Sequence, residues 1–186
     1  MTTRKVDKGP SESKLLYSDP WIRLRLDKII RPGGNEGTYS VIELKGGIGV
    51  VPLTDDNKIV LVGQYRYAPD VYSWEIPKGA FPTFESKMSP IELTKNELEE
   101  ETGITATTWD SLTLVRTLLG STNDKVFLFL ARGLKKGKSH PDDTEDIKIK
   151  EVSLDDFYVM VKNQDITDAT SIAAVALAEK FLEGQF

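Results

Sequence analysis

The chain has 186 residues, of which 39% are hydrophobic and 28% are charged, and this composition fits one globular domain with a sizeable core. Its net charge of −5 argues against general nucleic-acid binding. It has no cysteine and one histidine, which excludes disulfides and thiolate metal sites and argues against a Ser-His catalytic triad.

The N-terminal region divides into a tail and a hairpin. Residues 1–13 are polar and lack the apolar stretch of a secretory signal, so a disordered tail is predicted. Residues 14–42 are predicted to form an antiparallel hairpin, because apolar and charged residues alternate from Trp21 to Ile29 and a turn cluster at 31–37 precedes a returning strand. No apolar run reaches the ~18 residues of a membrane span, and a cytoplasmic protein is expected.

A buried strand is predicted after the turn at residues 55–57. It begins at Ile59 and ends in the polar and aromatic run from Gln64 to Tyr67. Within that run, Arg66 carries a planar guanidinium that can bind a phosphate through two parallel hydrogen bonds, and a structural ion pair is the alternative.

A helix is predicted to begin after Ser89 and to end at Gly103. Ser89 suits the N-cap, Pro90 suits the first helical position, and Glu92 closes a capping box. Gly103 suits the left-handed residue that commonly ends a helix.

Three acids crowd the last turns of this helix. Glu97, Glu100 and Glu101 stand at i, i+3 and i+4, which places them within an arc of roughly 100°. Each acid near a helix C-terminus is unfavourable by about 0.3–1 kcal/mol, and neighbouring carboxylates repel each other. An acidic run alone is usually a solvated face, but oxygen ligands on a rigid helix also suit Mg²⁺ or Mn²⁺.

The segment before the helix makes the pattern more specific. Gly79, Glu85 and the run from Asn96 to Ile104 resemble the Nudix box, G-x5-E-x7-R-E-U-x-E-E-x-G-U, in which U is a bulky aliphatic residue. Two features depart from that box. Ten residues separate Glu85 from the arginine position, and Asn96 occupies that position. The resemblance implies a Nudix hydrolase domain over residues 43–186.

The flanking segments resemble one Nudix subgroup, the enzymes that cleave ADP-ribose and nucleoside-diphosphate sugars. Residues 61–66 resemble its LVxQYR strand, residues 118–131 resemble its SPGxxxE and FLA stretch, and residues 166–169 resemble its C-terminal signature. Leu119 stands where ADP-ribose-specific members carry a proline, about fifteen residues beyond the box. This departure favours another or a broader nucleotide-sugar substrate.

The resemblance implies how the acidic residues act. The implied metal ligands are oxygen donors, namely the side chains of Glu97, Glu100, Glu101 and Glu85 and the backbone carbonyl of Lys78. Glu100 either bridges metals or positions the attacking water, which makes it a catalytic candidate too. The general base is expected in the acidic loop 142–146, at Glu145 or otherwise at Asp143, and a plain surface loop is the alternative.

Four residues are candidates for contacts with the substrate. They are Arg66, Trp74, Glu75 and Trp21. Glu75 can accept a hydrogen bond from a ribose hydroxyl, and Trp74 can stack on a base or sugar or pack in the core. Trp21 is a stacking candidate from the hairpin of a partner subunit, and interface packing is the alternative.

Two helices close the chain. The first is capped by Ser153 and extends to about Lys162, and the second carries an apolar stripe from Ala174 to Leu182 and ends at Gly184. The predicted fold class is an α/β (α+β) sandwich with a mixed sheet flanked by helices. The hairpin resembles the small sheet through which this subgroup forms intertwined homodimers, so a homodimer is expected.

The sequence therefore predicts Mg²⁺- or Mn²⁺-dependent hydrolysis of the pyrophosphate bond of nucleoside-diphosphate sugars. The products are a nucleoside monophosphate and a sugar phosphate. One alternative is an ADP-ribose-specific pyrophosphatase. The other is a degenerate Nudix domain that binds a nucleotide without cleaving it, because Asn96 brings no positive charge to the box.

Overall fold

The computed structural model describes residues 9–137 and 147–185. The secondary structure of these ranges comprises β1 Glu12–Ser18, β2 Ile22–Ile30, β3 Glu36–Leu44, β4 Gly47–Pro52, β5 Ile59–Arg66, β6 Val71–Glu75, β7 Lys78–Ala80, α1 Pro90–Thr102, β8 Ile104–Val115, β9 Val126–Lys136, β10 Lys148–Val152, α2 Leu154–Lys162 and α3 Ala169–Leu182.

The strands form three sheets. β1, β2 and β3 form an antiparallel N-terminal sheet, and β10, β5 and β6 form a second antiparallel sheet. The third sheet has the order β7-β4-β9-β8 and is mixed, because β4 runs parallel to β9. A mixed sheet was predicted, but its separation from the β5 sheet and the long strand β8 were not.

Alternate residues of the central strands enter two apolar cores on opposite faces. Val50 and Phe129 pack in the core that contains Leu98 of α1. Val51 and Leu128 pack in the core that contains residues of α2 and α3. This alternation follows from the period of two along a strand. It confirms the prediction that helices cover both sides of the mixed sheet.

The N-terminal sheet has one strand more than the predicted hairpin. β1 begins at Glu12, inside the predicted tail, and pairs antiparallel with β2. Sequence reasoning missed it because its apolar run, Leu15 to Tyr17, is short and does not alternate. Each of its residues is exposed.

The helix boundaries agree with the predictions. Ser89 and Glu92 form a reciprocal capping box at α1, and Gly103 ends that helix at φ 69°. Ser153 caps α2, and Gly184 follows α3 at φ 71°. No helix within the described ranges combines the length and apolar character needed to cross a membrane.

Candidate active site

Helix α1 places its three glutamates along one cavity. Leu98 is fully buried and anchors the neighbouring face of the helix in the core. Glu97, Glu100 and Glu101 line a cavity of about 800 Å³, together with Trp21, Lys45, Arg66, Lys78 and Phe81. The periodicity of the helix therefore directs the acids and the apolar anchors to different sides.

Strand β7 lies against the last turns of α1. The backbone N–H of Lys78 donates a hydrogen bond of 3.3 Å to Oε2 of Glu101, whose side chain is buried. Gly79 faces Glu97 so closely that a Cβ at this position would overlap the Glu97 carboxylate. A side chain at position 79 would therefore displace the Glu97 carboxylate from its place beside the strand.

Four charged side chains form a network beside the glutamates. Glu75 accepts hydrogen bonds from Nε and Nη2 of Arg66 at 3.0 and 2.7 Å. Nζ of Lys78 lies 2.8 Å from Glu75 and 2.8 Å from Asp168. The two cations and the two carboxylates balance one another in charge.

The network determines the protonation of its buried acid. Burial alone would raise the pKa of Glu75, but the hydrogen bonds from Arg66 and the charge of Lys78 outweigh it and lower the pKa to about 2. The same hydrogen bonds raise the pKa of Arg66. Glu75 is therefore an anion at neutral pH.

The donor atoms beside β7 suit a hard divalent cation. Glu97, Glu100 and Glu101 supply carboxylate oxygens from a rigid helix, and such ligands match Mg²⁺ and Mn²⁺. Within residues 9–137 and 147–185, no three acidic, histidine or cysteine side chains are already drawn together as a metal cluster. A bound cation would have to bring these carboxylates together.

Two predicted substrate contacts lie in this cavity. Trp21 is 70% exposed and lines the cavity of its own chain, with Nζ of Lys45 at 4.6 Å from the centre of its ring. Arg66 also lines the cavity, and two of its five N–H groups bind Glu75.

Glu75 and Trp74 lie on opposite faces of β6. Glu75 is 4% exposed, and its carboxylate binds Arg66 and Lys78, so it orients these two cations. Trp74 packs against the buried core beneath α2 and α3, and Nζ of Lys150 lies 4.4 Å from its ring centre. Neighbouring residues of a strand point to opposite faces, which separates Trp74 from Glu75.

Glu85 also lies away from the three glutamates. Its side chain is 70% exposed and forms an ion pair of 3.0 Å with Arg23 of β2. The guanidinium of Arg23 stacks on Phe84 at 4.0 Å. These contacts hold the loop that carries Glu85 against the N-terminal sheet, and the role of Glu85 as a metal ligand stays a prediction.

A second cavity of about 380 Å³ shares Trp21, Lys45 and Lys78 with the first. Asp124 is buried in its wall and accepts hydrogen bonds from Oγ1 of Thr117 at 2.6 Å and from the N–H of Lys125 at 2.9 Å. The two cavities adjoin at these shared residues and form one cleft.

Sequence reasoning missed several residues of this cleft. Asp124 and Asp168 belong to two segments that it did single out, but neither was assigned a role. The side chain of Lys78 was assigned no role of its own, and Lys45 had no signal at all. The proposed bases, Glu145 and Asp143, lie outside the described residues.

Comparisons with known proteins give consistent matches. Residues 12–42 match the nucleoside diphosphate sugar hydrolase N-terminal domain, and residues 43–175 match the NUDIX domain. The chain is 30% identical over 162 residues to an ADP-ribose pyrophosphatase of Bacillus subtilis, with 86% of each protein covered. It is 28% identical over 166 residues to a methanol dehydrogenase activator of Bacillus methanolicus, with 88% of each covered. A crystal structure of an ADP compounds hydrolase is similar, with a TM-score of 0.82, 19% identity and 95% of each chain covered.

Proposed function

We propose that this chain, which belongs to the Nudix hydrolase family and is a pyrophosphatase, cleaves nucleoside-diphosphate sugars to a nucleoside monophosphate and a sugar phosphate. The observation that carries the proposal is the pair of adjoining cavities. One contains the acidic face of α1 and three cationic side chains, Lys45, Arg66 and Lys78, and the other contains the buried carboxylate of Asp124. The diphosphate would occupy the first cavity and the sugar the second.

The side chains of the first cavity suit a diphosphate and the metal ions that accompany it. Glu97, Glu100 and Glu101 would hold Mg²⁺ or Mn²⁺ together with the backbone carbonyl of Lys78. When bound, such an ion neutralises phosphate charge and lowers the pKa of a water molecule. Arg66, held by Glu75, would direct its remaining N–H groups to a phosphate oxygen.

The second cavity suits the hydroxyl groups of a sugar. Asp124 is held in place by Thr117, and a fixed carboxylate can accept hydrogen bonds from sugar hydroxyls. Trp21 stands where the cavities join and offers a ring face to a base or sugar. ADP-ribose is one candidate substrate, because a relative with 30% identity is an ADP-ribose pyrophosphatase.

The general base stays a prediction from the sequence. Glu145 or Asp143 would take the proton of the attacking water. This role requires a carboxylate within hydrogen-bond distance of that water.

We further propose that the active form is a homodimer joined through the N-terminal sheet. Leu15, Leu16, Tyr17 and Ile30 each expose about half of their surface in the single chain. A second copy would cover these apolar side chains, and a two-fold pairing would use the same surface on both subunits.

A substrate screen tests the proposed reaction. The purified chain would be incubated with ADP-ribose, ADP-glucose, GDP-mannose, UDP-sugars, dinucleoside polyphosphates and nucleoside triphosphates, each with Mg²⁺, Mn²⁺ or EDTA. We expect metal-dependent release of a nucleoside monophosphate from at least one nucleotide sugar, and ¹⁸O-labelled water would identify the phosphorus that is attacked. Turnover of triphosphates but of no nucleotide sugar would contradict the proposed substrate class.

A further inference from the structure

The N-terminal end of α3 contacts the segment that carries the proposed metal ligand. Two hydrogen bonds and one ion pair connect them. The N–H of Trp74 donates to the carbonyl of Asp165 at 3.1 Å, the N–H of Ile76 donates to Oγ of Ser171 at 3.0 Å, and Nζ of Lys78 lies 2.8 Å from Oδ2 of Asp168. The segment 74–78 is therefore held at alternate residues by a helix from the far end of the chain.

Ser171 and Asp168 act together in these contacts. Oγ of Ser171 donates a hydrogen bond to Oδ2 of Asp168 at 2.6 Å and accepts one from the N–H of Ile76. The side chain of Ser171 is fully buried. Asp168 also caps α3 by accepting from the N–H of Ser171 at 2.8 Å. One carboxylate thus joins the helix cap, the buried hydroxyl and the ammonium group of Lys78.

We propose that Asp168 and Ser171 are positioning residues, which hold the backbone of residues 74–79 against Glu97 and Glu101. The expected effect on metal binding rests on the proposed function, whereas the positioning of residues 74–79 does not. The motif at residues 166–169 thereby receives a role, since its acid fixes the residue whose carbonyl would bind the cation.

A helix cap alone does not require an acid at this position. Asparagine caps a helix about as well as aspartate, but it cannot neutralise the ammonium of Lys78. Ser153 caps α2 in the same manner, and its side chain bonds to Asp156 of its own helix. Ser153→Ala is therefore a matched control that removes a cap without touching the segment 74–79.

Metal affinity in the absence of substrate tests the proposal. Mn²⁺ binding would be titrated by electron paramagnetic resonance for Asp168→Asn, Lys78→Met and the double variant. We expect each single variant to bind Mn²⁺ about 10-fold more weakly, the double variant to match the single ones, and Ser153→Ala to bind as the wild type does. Lys78→Met retains the backbone carbonyl. A weaker affinity of this variant for Mn²⁺ would therefore result from the lost ion pair with Asp168.

The sign of the Lys78→Met effect separates positioning from simple charge. If only the field of the charges mattered, removing the lysine would tighten Mn²⁺ binding and the double variant would recover the wild-type affinity. Either of these results would overturn the proposal, as would unchanged affinity in both single variants.

Hydrogen exchange of the metal-free protein provides an independent measurement. We expect the amides of Glu75, Ile76 and Lys78 to exchange faster in Asp168→Asn but not in Ser153→Ala. If the wild type bound no Mn²⁺, the proposed metal function would fail while this measurement still decided the structural part. Unchanged exchange at these amides would overturn the positioning role.

Discussion

The backbone N–H of Lys78 donates to Oε2 of Glu101 at 3.3 Å, so the last turn of α1 is joined directly to β7. A carboxylate that accepts a hydrogen bond from an N–H group and lines a cavity can still use its remaining lone pairs to bind a cation. This contact joins the residue whose carbonyl is proposed as a metal ligand to the helix that carries the proposed acidic ligands.

Glu101→Gln and Glu97→Gln are expected to abolish Mn²⁺ binding and nearly all activity while leaving the metal-free protein folded. Each change relieves repulsion near the C-terminus of a helix, so the free energy of unfolding should stay level or rise by up to about 1 kcal/mol. Thermal unfolding in EDTA and Mn²⁺ titration measure the two effects. Glu99→Gln is the control, because Glu99 is exposed on the same helix and is not among the residues that line the cavity. A Tm many degrees lower in EDTA would show that the glutamates are structural.

Trp21→Ala is expected to raise KM about 10-fold with little change in kcat. Stacking of a nucleobase on an aromatic ring contributes roughly 1–3 kcal/mol. It stabilises the bound substrate and the transition state equally, so its loss changes KM and not kcat. Trp21→Phe retains a ring face and should recover most of the affinity. Steady-state kinetics with the best substrate of the screen measures both, and an unchanged KM in Trp21→Ala would exclude Trp21 from substrate binding.

Glu145→Gln is expected to lower kcat by about 10²–10⁴-fold, as for the loss of a general base. Because a base acts in the chemical step, the affinity for Mn²⁺ and substrate should hardly change. Single-turnover kinetics measures the step. If Glu145→Gln retains wild-type turnover and Asp143→Asn does not, the base lies earlier in the loop.

Lowering the pH should decrease the free energy of unfolding through the protonation of Glu75. Its pKa falls from 4.5 to about 2 in the folded chain, so the carboxylate contributes stability that is fully present above pH 4.5 and is lost as the pH falls toward 2. By linkage the contribution amounts to about 3 kcal/mol at most. Glu75→Gln should therefore lower the free energy of unfolding at pH 7 and flatten its decline below pH 4.5. Urea unfolding at pH 7 and near pH 3 measures this, and an equal decline in both proteins would contradict the assignment.

Leu15→Glu is expected to separate the proposed dimer into monomers. Leu15 exposes 56% of its surface on the N-terminal sheet, and a charge placed there would have to be buried when two sheets meet. Ile149→Glu, which adds the same charge at a residue of β10 that is 46% exposed, is the control. Analytical ultracentrifugation measures the mass. A monomeric wild type with full activity would refute the dimer.

The sequence by itself determined the features that depend on near neighbours. The caps of α1, its acidic face and its end at Gly103 were all predicted and are present. These features follow from hydrogen bonds and side-chain directions within a few residues, so the order of residue types is enough to specify them.

Only the tertiary structure decided which distant residues meet. Lys78 pairs with Asp168 of α3, and Glu85 pairs with Arg23 of β2 although the motif suggested a metal ligand. Trp74 and Glu75 are neighbours in the chain, yet the pleat directs one to the core and the other to Arg66 and Lys78. Such partners are selected by how sheets and helices pack, and a periodic pattern shows which face is apolar without showing what that face will contact.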